Sequence, residues 1–280
     1  MYEELTLEIE GASAIITFNR PARLNALTWR MLAELRHAVA AAEHDRQVVG
    51  IILTGAGRGF SAGMDTAALA AGIRGESTAG QIFPELDAEP GDPAMGPEFR
   101  VTFAYLLRVR KPLLAAVNGP CAGLAFVLAM LCDLRFASES AVFKTAFAQR
   151  GLVAEHGVSW ILPRLIGASR ALDLLWHPRK VTATEALQLG LVNRVLSDSA
   201  LLDAARQYIA ELAAASSPAS LMEMKQQVYR ALMQPLDVAM HEAIERMEGS
   251  FKRPDFAEGV QSFLEQRPPQ FPRIGGRERD

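Results

Sequence analysis

The chain has 280 residues, half of them apolar and 22% charged, with a formal net charge of −3. That balance describes a globular chain with a sizeable core, in one large domain or two small ones, and it lacks the basic surplus of a nucleic-acid-binding surface. The longest apolar stretch, residues 124–132, is too short to span a bilayer. Cys121 and Cys132 stand in apolar surroundings without metal-ligand or disulfide spacing, which fits a reducing cytoplasm. The opening Met1-Tyr-Glu-Glu-Leu5 carries neither the basic nor the apolar part of a signal peptide.

In chain order, Leu5, Leu7 and Ile9 alternate with polar residues, and so do Ala14, Ile16 and Phe18 after a break at Gly11. This predicts a hairpin. A loop over residues 19–27 leads to a helix capped by Thr28 and running to about Ala42, with Met31, Leu32, Leu35 and Val39 on one face. The apolar run 48–53 predicts a buried strand. It enters Thr54-Gly-Ala-Gly-Arg-Gly-Phe-Ser-Ala-Gly-Met-Asp65, a turn of small residues before a helix for which Asp65 is a good N-cap. Residues 70–100 are rich in Gly, Pro and acidic residues, and a loop of that length is a lid, a binding loop or a disordered segment.

A helix over residues 99–108 and a second buried strand, 113–117, come next. That strand ends in Asn118-Gly-Pro-Cys-Ala-Gly123 before another helix of small and apolar residues. Residues 133–137, 141–143 and 191–196 read as strands. Thr182-Ala-Thr-Glu185 is a capping box for a short helix ended by Gly190. Everything after Ser197 reads as helical, with Ser217-Pro218 starting one helix and Asp255 to Glu258 in capping-box spacing before another. A boundary falls near residue 197, between an α/β core (1–196) and a helical region (197–280).

The two glycine turns repeat one pattern: buried strand, turn, helix start. Taken singly, each is an ordinary strand-to-helix connection. Adjacent in a sheet, they would aim two backbone N–H groups at one oxygen, an arrangement that stabilises charge developing during a reaction.

Phe60-Ser-Ala-Gly-Met-Asp65, Ala116-Val-Asn-Gly-Pro-Cys-Ala-Gly123 and Leu131-Cys-Asp-Leu134 together resemble the crotonase superfamily, also called the enoyl-CoA hydratase/isomerase family. The loop 19–27, Gly151-Leu-Val-Ala-Glu-His-Gly157, Ala186-Leu-Gln-Leu-Gly-Leu-Val192 and residues 258–267 fit the same family, so the likeness covers nearly the whole chain except 70–100. The resemblance implies repeated ββα units in two sheets, with a helical C-terminal region supporting a homotrimer or a dimer of trimers. It implies an acyl-CoA thioester as ligand, with coenzyme A entering as part of the substrate and no separate cofactor or metal.

The implied oxyanion donors are the N–H groups of Met64 and Leu124, with Gly63 and Gly123 allowing close approach. Arg23, Leu24 and Ala26 match the loop near the CoA adenine and phosphates, although Arg23 also fits a solvated surface charge. Ala62 matches the pantetheine contact. Phe263 and Arg267 match positions where a C-terminal helix, often a neighbour's, meets CoA. Asp65 borders the site but fits an N-cap better than an acid.

The chain departs from hydratases of this family at their two glutamates, which fall at Val127 and Phe147 in an ungapped register from Asn118. Phe147 and Trp160 then line an acyl pocket or pack in the core. Glu155 matches the position of the catalytic glutamate of peroxisomal-type enoyl-CoA isomerases, and of a nucleophilic aspartate in chlorobenzoyl-CoA dehalogenases. A single base fits double-bond isomerisation. Hydration or another lyase step by Glu155 with other groups is the alternative, and a non-catalytic acyl-CoA binder is the reading from a different class. Glu155 as a helix cap or an arginine partner, and His156 as a structural hydrogen-bonder, are the plain structural readings.

Overall fold

The computed structural model describes residues 2–76 and 82–276. Residues 77–81, inside the expected 70–100 loop, lie outside the described residues. The hairpin forms as β1 (Leu5–Glu10) and β2 (Ser13–Phe18), paired antiparallel. Helix α1 (Trp29–His44) follows, with the Thr28 hydroxyl accepting from Met31 N as expected. Strand β3 (Gly50–Gly55) starts two residues later than the apolar run suggested. Gly50 lies so close to a later helix that a Cβ there would stand 2.3 Å from Ile209 Cδ1.

Helix α2 (Thr66–Ile73) begins at Asp65, whose carboxylate accepts from Ala67 N. The helix expected over 99–108 is broken. A 3-10 turn, Pro97–Arg100, precedes the single-turn α3 (Tyr105–Arg108), with Thr102 between them in left-handed backbone at φ 45°.

Strand β4 (Leu113–Val117) leads to the short β5 (Pro120–Ala122), which sequence reasoning read as part of a turn. Helix α4 (Leu124–Met130), β6 (Leu134–Ser138) and β7 (Val142–Lys144) follow. Then come α5 (Val158–Ile166), α6 (Ala168–Trp176), β8 (Val181–Thr182), α7 (Ala183–Leu189) and β9 (Arg194–Leu196). Thr182 caps α7 by accepting from Glu185 N, but the Glu185 carboxylate turns to Arg179 instead of closing the capping box. The last strand is half the length expected.

The main sheet has the order β1-β2-β3-β4-β6-β9, parallel from β2 onward. Strands β5-β7-β8 form a second, smaller sheet. Every residue of β3 and β4 is buried, as parallel strands covered on both faces require. One side packs against α1, α4 and α5 through Leu35, Val39, Leu53, Phe60, Leu128 and Leu162. The other is covered by α8 (Leu201–Ala215), whose Leu201, Ala205 and Ile209 meet Ile52, Leu114 and Phe136.

Helices α9 (Pro218–Ala231), α10 (Leu236–Ser250) and α11 (Pro254–Leu264) complete the helical region. Ser217 caps α9 as read. The capping box at Asp255 does not form: the N-cap is Arg253, two residues earlier, the Asp255 carboxylate meets the Ser217 hydroxyl, and Glu258 pairs with Arg267. Lys225 on α9 ties this region to the core, its ammonium 2.8 Å from Asp133, while the Tyr229 hydroxyl donates to the same carboxylate at 2.9 Å.

Candidate active site

The parallel pairing of β3 with β4 brings the two glycine turns side by side. Beyond the strands they hydrogen-bond to each other: Ser61 N donates to Pro120 O at 3.0 Å, and Ala122 N donates to Ser61 O at 3.1 Å. The Asn118 side-chain amide donates to Gly55 O and Gly57 O, at 2.8 and 3.0 Å. A third segment, the loop 19–27, joins the pair. Ala62 N donates to Leu24 O, Leu27 N to Gly63 O, and Asp65 N to Leu27 O, each at 2.8–2.9 Å. The Asn25 amide bridges to Ala56 O and Gly59 O.

Within this frame Gly63 has φ 91°, and a Cβ there would stand 2.6 Å from Ala122 O and 3.5 Å from Leu124 N. Only glycine fits that approach. The backbone N–H groups of Met64 and Leu124 donate to no acceptor among the described residues. Leu124 is the first residue of α4, where an N–H has no intrahelical partner.

Both donors border one cavity of about 330 Å³, lined also by Ala62, Gly63, Gly123, Phe147 and Glu155. Glu155 sits between the 3-10 turn Ala148–Arg150 and α5, half-buried, and among the described residues its carboxylate has no hydrogen bond or ion pair. It does not cap α5, whose N-cap is Gly157 without a side-chain bond. Val127 is fully buried inside α4 and is not part of the wall, whereas Phe147 is. Val127 and Phe147, the positions matched to the hydratase glutamates in an ungapped register, carry no titratable side chain.

Arg23, Leu24, Ala26 and Asp65 lie beside the cavity and not in its wall. Arg23 is exposed on the 3-10 turn Pro21–Arg23. Asp65 is engaged by Ala67 N and by Arg20 at 2.9 Å. Burial opposes its charge, but these two donors hold its carboxyl below the usual value. Phe263 and Arg267 are not brought to this cavity within one chain. Phe263 is 81% exposed on α11, and Arg267 is bound to Glu258 and Glu265.

Sequence reasoning missed Trp29, Ala68, Leu69 and Arg150 in the wall. The signal for Ala68 and Leu69 was their place on the first turns of α2, directly after the donor turn. His156 is in the wall too. It has left-handed backbone at φ 52°, and its ring meets Phe103 edge-on at 5.2 Å. Although the residue is exposed, desolvation of the cavity-facing ring lowers the pKa of the imidazole, partly opposed by neighbouring Glu155. Cys121 is buried and its thiol is pushed well up by burial, which removes it as a nucleophile. Among the described residues no group of three or more His, Cys, Asp or Glu has metal-ligand geometry, and no helix is long and apolar enough to cross a membrane.

A family model described as enoyl-CoA hydratase/isomerase matches residues 8–273. The chain belongs to the enoyl-CoA hydratase/isomerase family. Among curated relatives, the Mycobacterium bovis protein named "Probable enoyl-CoA hydratase echA12" is 37% identical over 265 residues, covering 92% of this chain and 88% of its own length. The 1,2-epoxyphenylacetyl-CoA isomerase of Escherichia coli K12 is 32% identical over 278 residues, covering 97% of this chain and 99% of its own. A crystal structure titled as an enoyl-CoA hydratase subunit from Geobacillus kaustophilus matches with a TM-score of 0.81 at 35% identity, over 96% of this chain and 98% of that one. The crotonase fold that the resemblance implied is the fold of this enoyl-CoA hydratase/isomerase family member. Relatives named for hydration and for isomerisation both align along nearly its full length.

Proposed function

We propose that this protein binds an acyl-CoA thioester, stabilises its enolate and moves its double bond, with Glu155 as the only base. The Glu155 carboxylate takes a proton from the carbon α to the thioester carbonyl. The electron pair flows onto the thioester oxygen, which the N–H groups of Met64 and Leu124 receive. The same carboxyl returns the proton to the γ carbon, so a β,γ-enoyl ester becomes the α,β isomer with no change in composition. One observation carries this reading: a carboxylate and two backbone N–H groups, all without partners among the described residues, border one cavity, while the positions matched to the hydratase pair hold Val127 and Phe147. Coenzyme A enters as part of the substrate, with Arg23, Leu24, Ala26 and Ala62 on its path and no separate cofactor. The exposed Val228, Met240, Ile244, Met247, Phe263 and Leu264 of α9–α11 support assembly as a homotrimer or dimer of trimers, working in the cytoplasm.

The test is to incubate the purified protein with a trans-β,γ-enoyl-CoA and, separately, with a trans-α,β-enoyl-CoA, and to read both by chromatography and mass. Conversion of the first ester at constant mass supports the single-base reading. Gain of one water by the second ester overturns it in favour of hydration, the second reading, which the hydratase name of the Mycobacterium bovis relative favours. Tight binding of both esters without conversion of either would make the chain a binder.

A further inference from the structure

Three consecutive residues step from the catalytic cavity into another one. Glu155 lines the first, His156 lines both, and Gly157 lines the second. The second chamber holds about 310 Å³, close to the volume of the first. Its wall is mostly apolar: Phe99 at the end of the 70–100 stretch, Val101, Ala104 and Leu107 just after it, Leu131 after α4, and Trp160 on α5, with Thr102 as a polar exception. Glu98 and His156 are its titratable groups. The imidazole is aimed by two successive left-handed residues, His156 at φ 52° and Gly157 at φ 81°. For a non-glycine residue that conformation is unfavourable and persists where its surroundings impose it. Phe103 packs edge-on against the ring and braces it.

We propose that His156 is the specificity-determining residue of this site, a partition past which the distal, apolar part of an acyl chain passes into the second chamber. The preferred ligand is then a medium-chain acyl-CoA ester and not a short one. A tail ending in a carboxylate is disfavoured by the apolar wall and by Glu98. A neutral imidazole suits such a partition; although His156 is partly open to solvent, desolvation of its ring lowers the pKa toward that form. The proposal rests on the acyl-CoA reading above but not on which reaction follows binding.

The test uses saturated esters, which cannot isomerise or hydrate. Titration calorimetry compares decanoyl-CoA with butanoyl-CoA on the wild-type chain and on two variants that fill the path from different elements, His156→Trp and Ala104→Trp. The wild type should bind decanoyl-CoA at least about tenfold more tightly, in line with what added methylenes contribute in an apolar pocket. Each variant should cut that ratio to about twofold. A wild-type ratio near one, or a ratio unchanged in both variants, overturns the proposal, as does an ω-carboxydecanoyl ester binding as tightly as decanoyl-CoA. Isomerisation of a short ester without the affinity ratio would leave the reaction reading standing and remove this one. The ratio without isomerisation would do the reverse.

Discussion

The two walls of the cavity are held in different ways. On the donor side, backbone bonds tie the turns of Gly63 and Gly123 to each other and to the loop 19–27, and the Asn25 and Asn118 amides add side-chain bridges. On the carboxylate side, the backbone N–H groups of residues 153–157 donate to no acceptor among the described residues, and the segment turns through left-handed Gly151, His156 and Gly157. Under the proposed reaction the contrast has a physical reason. Donors that stabilise an oxyanion are worth most when they need not move as charge appears. A carboxylate that takes a proton at one carbon and returns it at another must reach both, which a loosely bonded segment permits.

The largest effect expected from breaking this comparison is at the carboxylate. Glu155→Gln should lower turnover by about 10²–10⁴-fold, the usual range for an acid–base group, while the affinity for a saturated acyl-CoA stays within a few-fold. Steady-state rates and calorimetry on the same preparation separate the two, and unchanged turnover would remove Glu155 from the mechanism. Next is the rigid wall. Gly63→Ala places a methyl group 2.6 Å from Ala122 O at φ 91°, so the Met64 donor must shift. Turnover should fall by about 10²–10³-fold, the cost of losing one such donor, and wild-type kinetics in this variant would show that the donor turn is not needed.

A smaller effect should follow from loosening the donor wall from behind. Asp133 accepts from Leu113 N at the start of β4, from Lys225 and from Tyr229. Asp133→Ala leaves a nearly buried ammonium without its counter-charge, and the stability loss should be about 2–3 kcal/mol, below the full cost of breaking a buried pair because the carboxylate is partly exposed. Denaturant unfolding would read it, and hydrogen exchange should show α9 losing protection together with β4. Thr182→Ala, at a residue that does not line the cavity, removes one helix cap and should cost about 1 kcal/mol with normal kinetics. A kinetic defect there would mean that the walls are coupled to α7.

The donor wall was the more legible half in the sequence. Its glycines, its apolar strands and Asp65 are local signals, and each turn carries its own. The carboxylate wall was readable only through the matched position of Glu155 and the loss of acids at Val127 and Phe147. That Glu155 has no ion pair among the described residues, and that His156 lines two cavities, depend on residues far away in the chain. Strand β5 was unreadable because three residues carry no periodicity and its partner β7 is not adjacent in sequence. The capping box at Asp255 looked sound, but Ser217, 38 residues away, took the carboxylate.

The sequence by itself determined most of the longer elements, because strand alternation, helix caps and glycine turns are set by interactions within a few residues. It also supplied the groups that the proposed reaction uses: the glycine turns before Met64 and Leu124, the Glu155 carboxyl, and apolar Val127 and Phe147 where the ungapped match to the hydratases expects acids. Only the tertiary structure decided that Met64, Leu124 and Glu155 border one cavity and that His156 lines a second, mostly apolar one as well. The same holds for the lock of α9 onto the core by a lysine 92 residues from its aspartate. Those outcomes rest on parallel strand pairing and on buried polar groups finding partners across the fold, which no local pattern encodes.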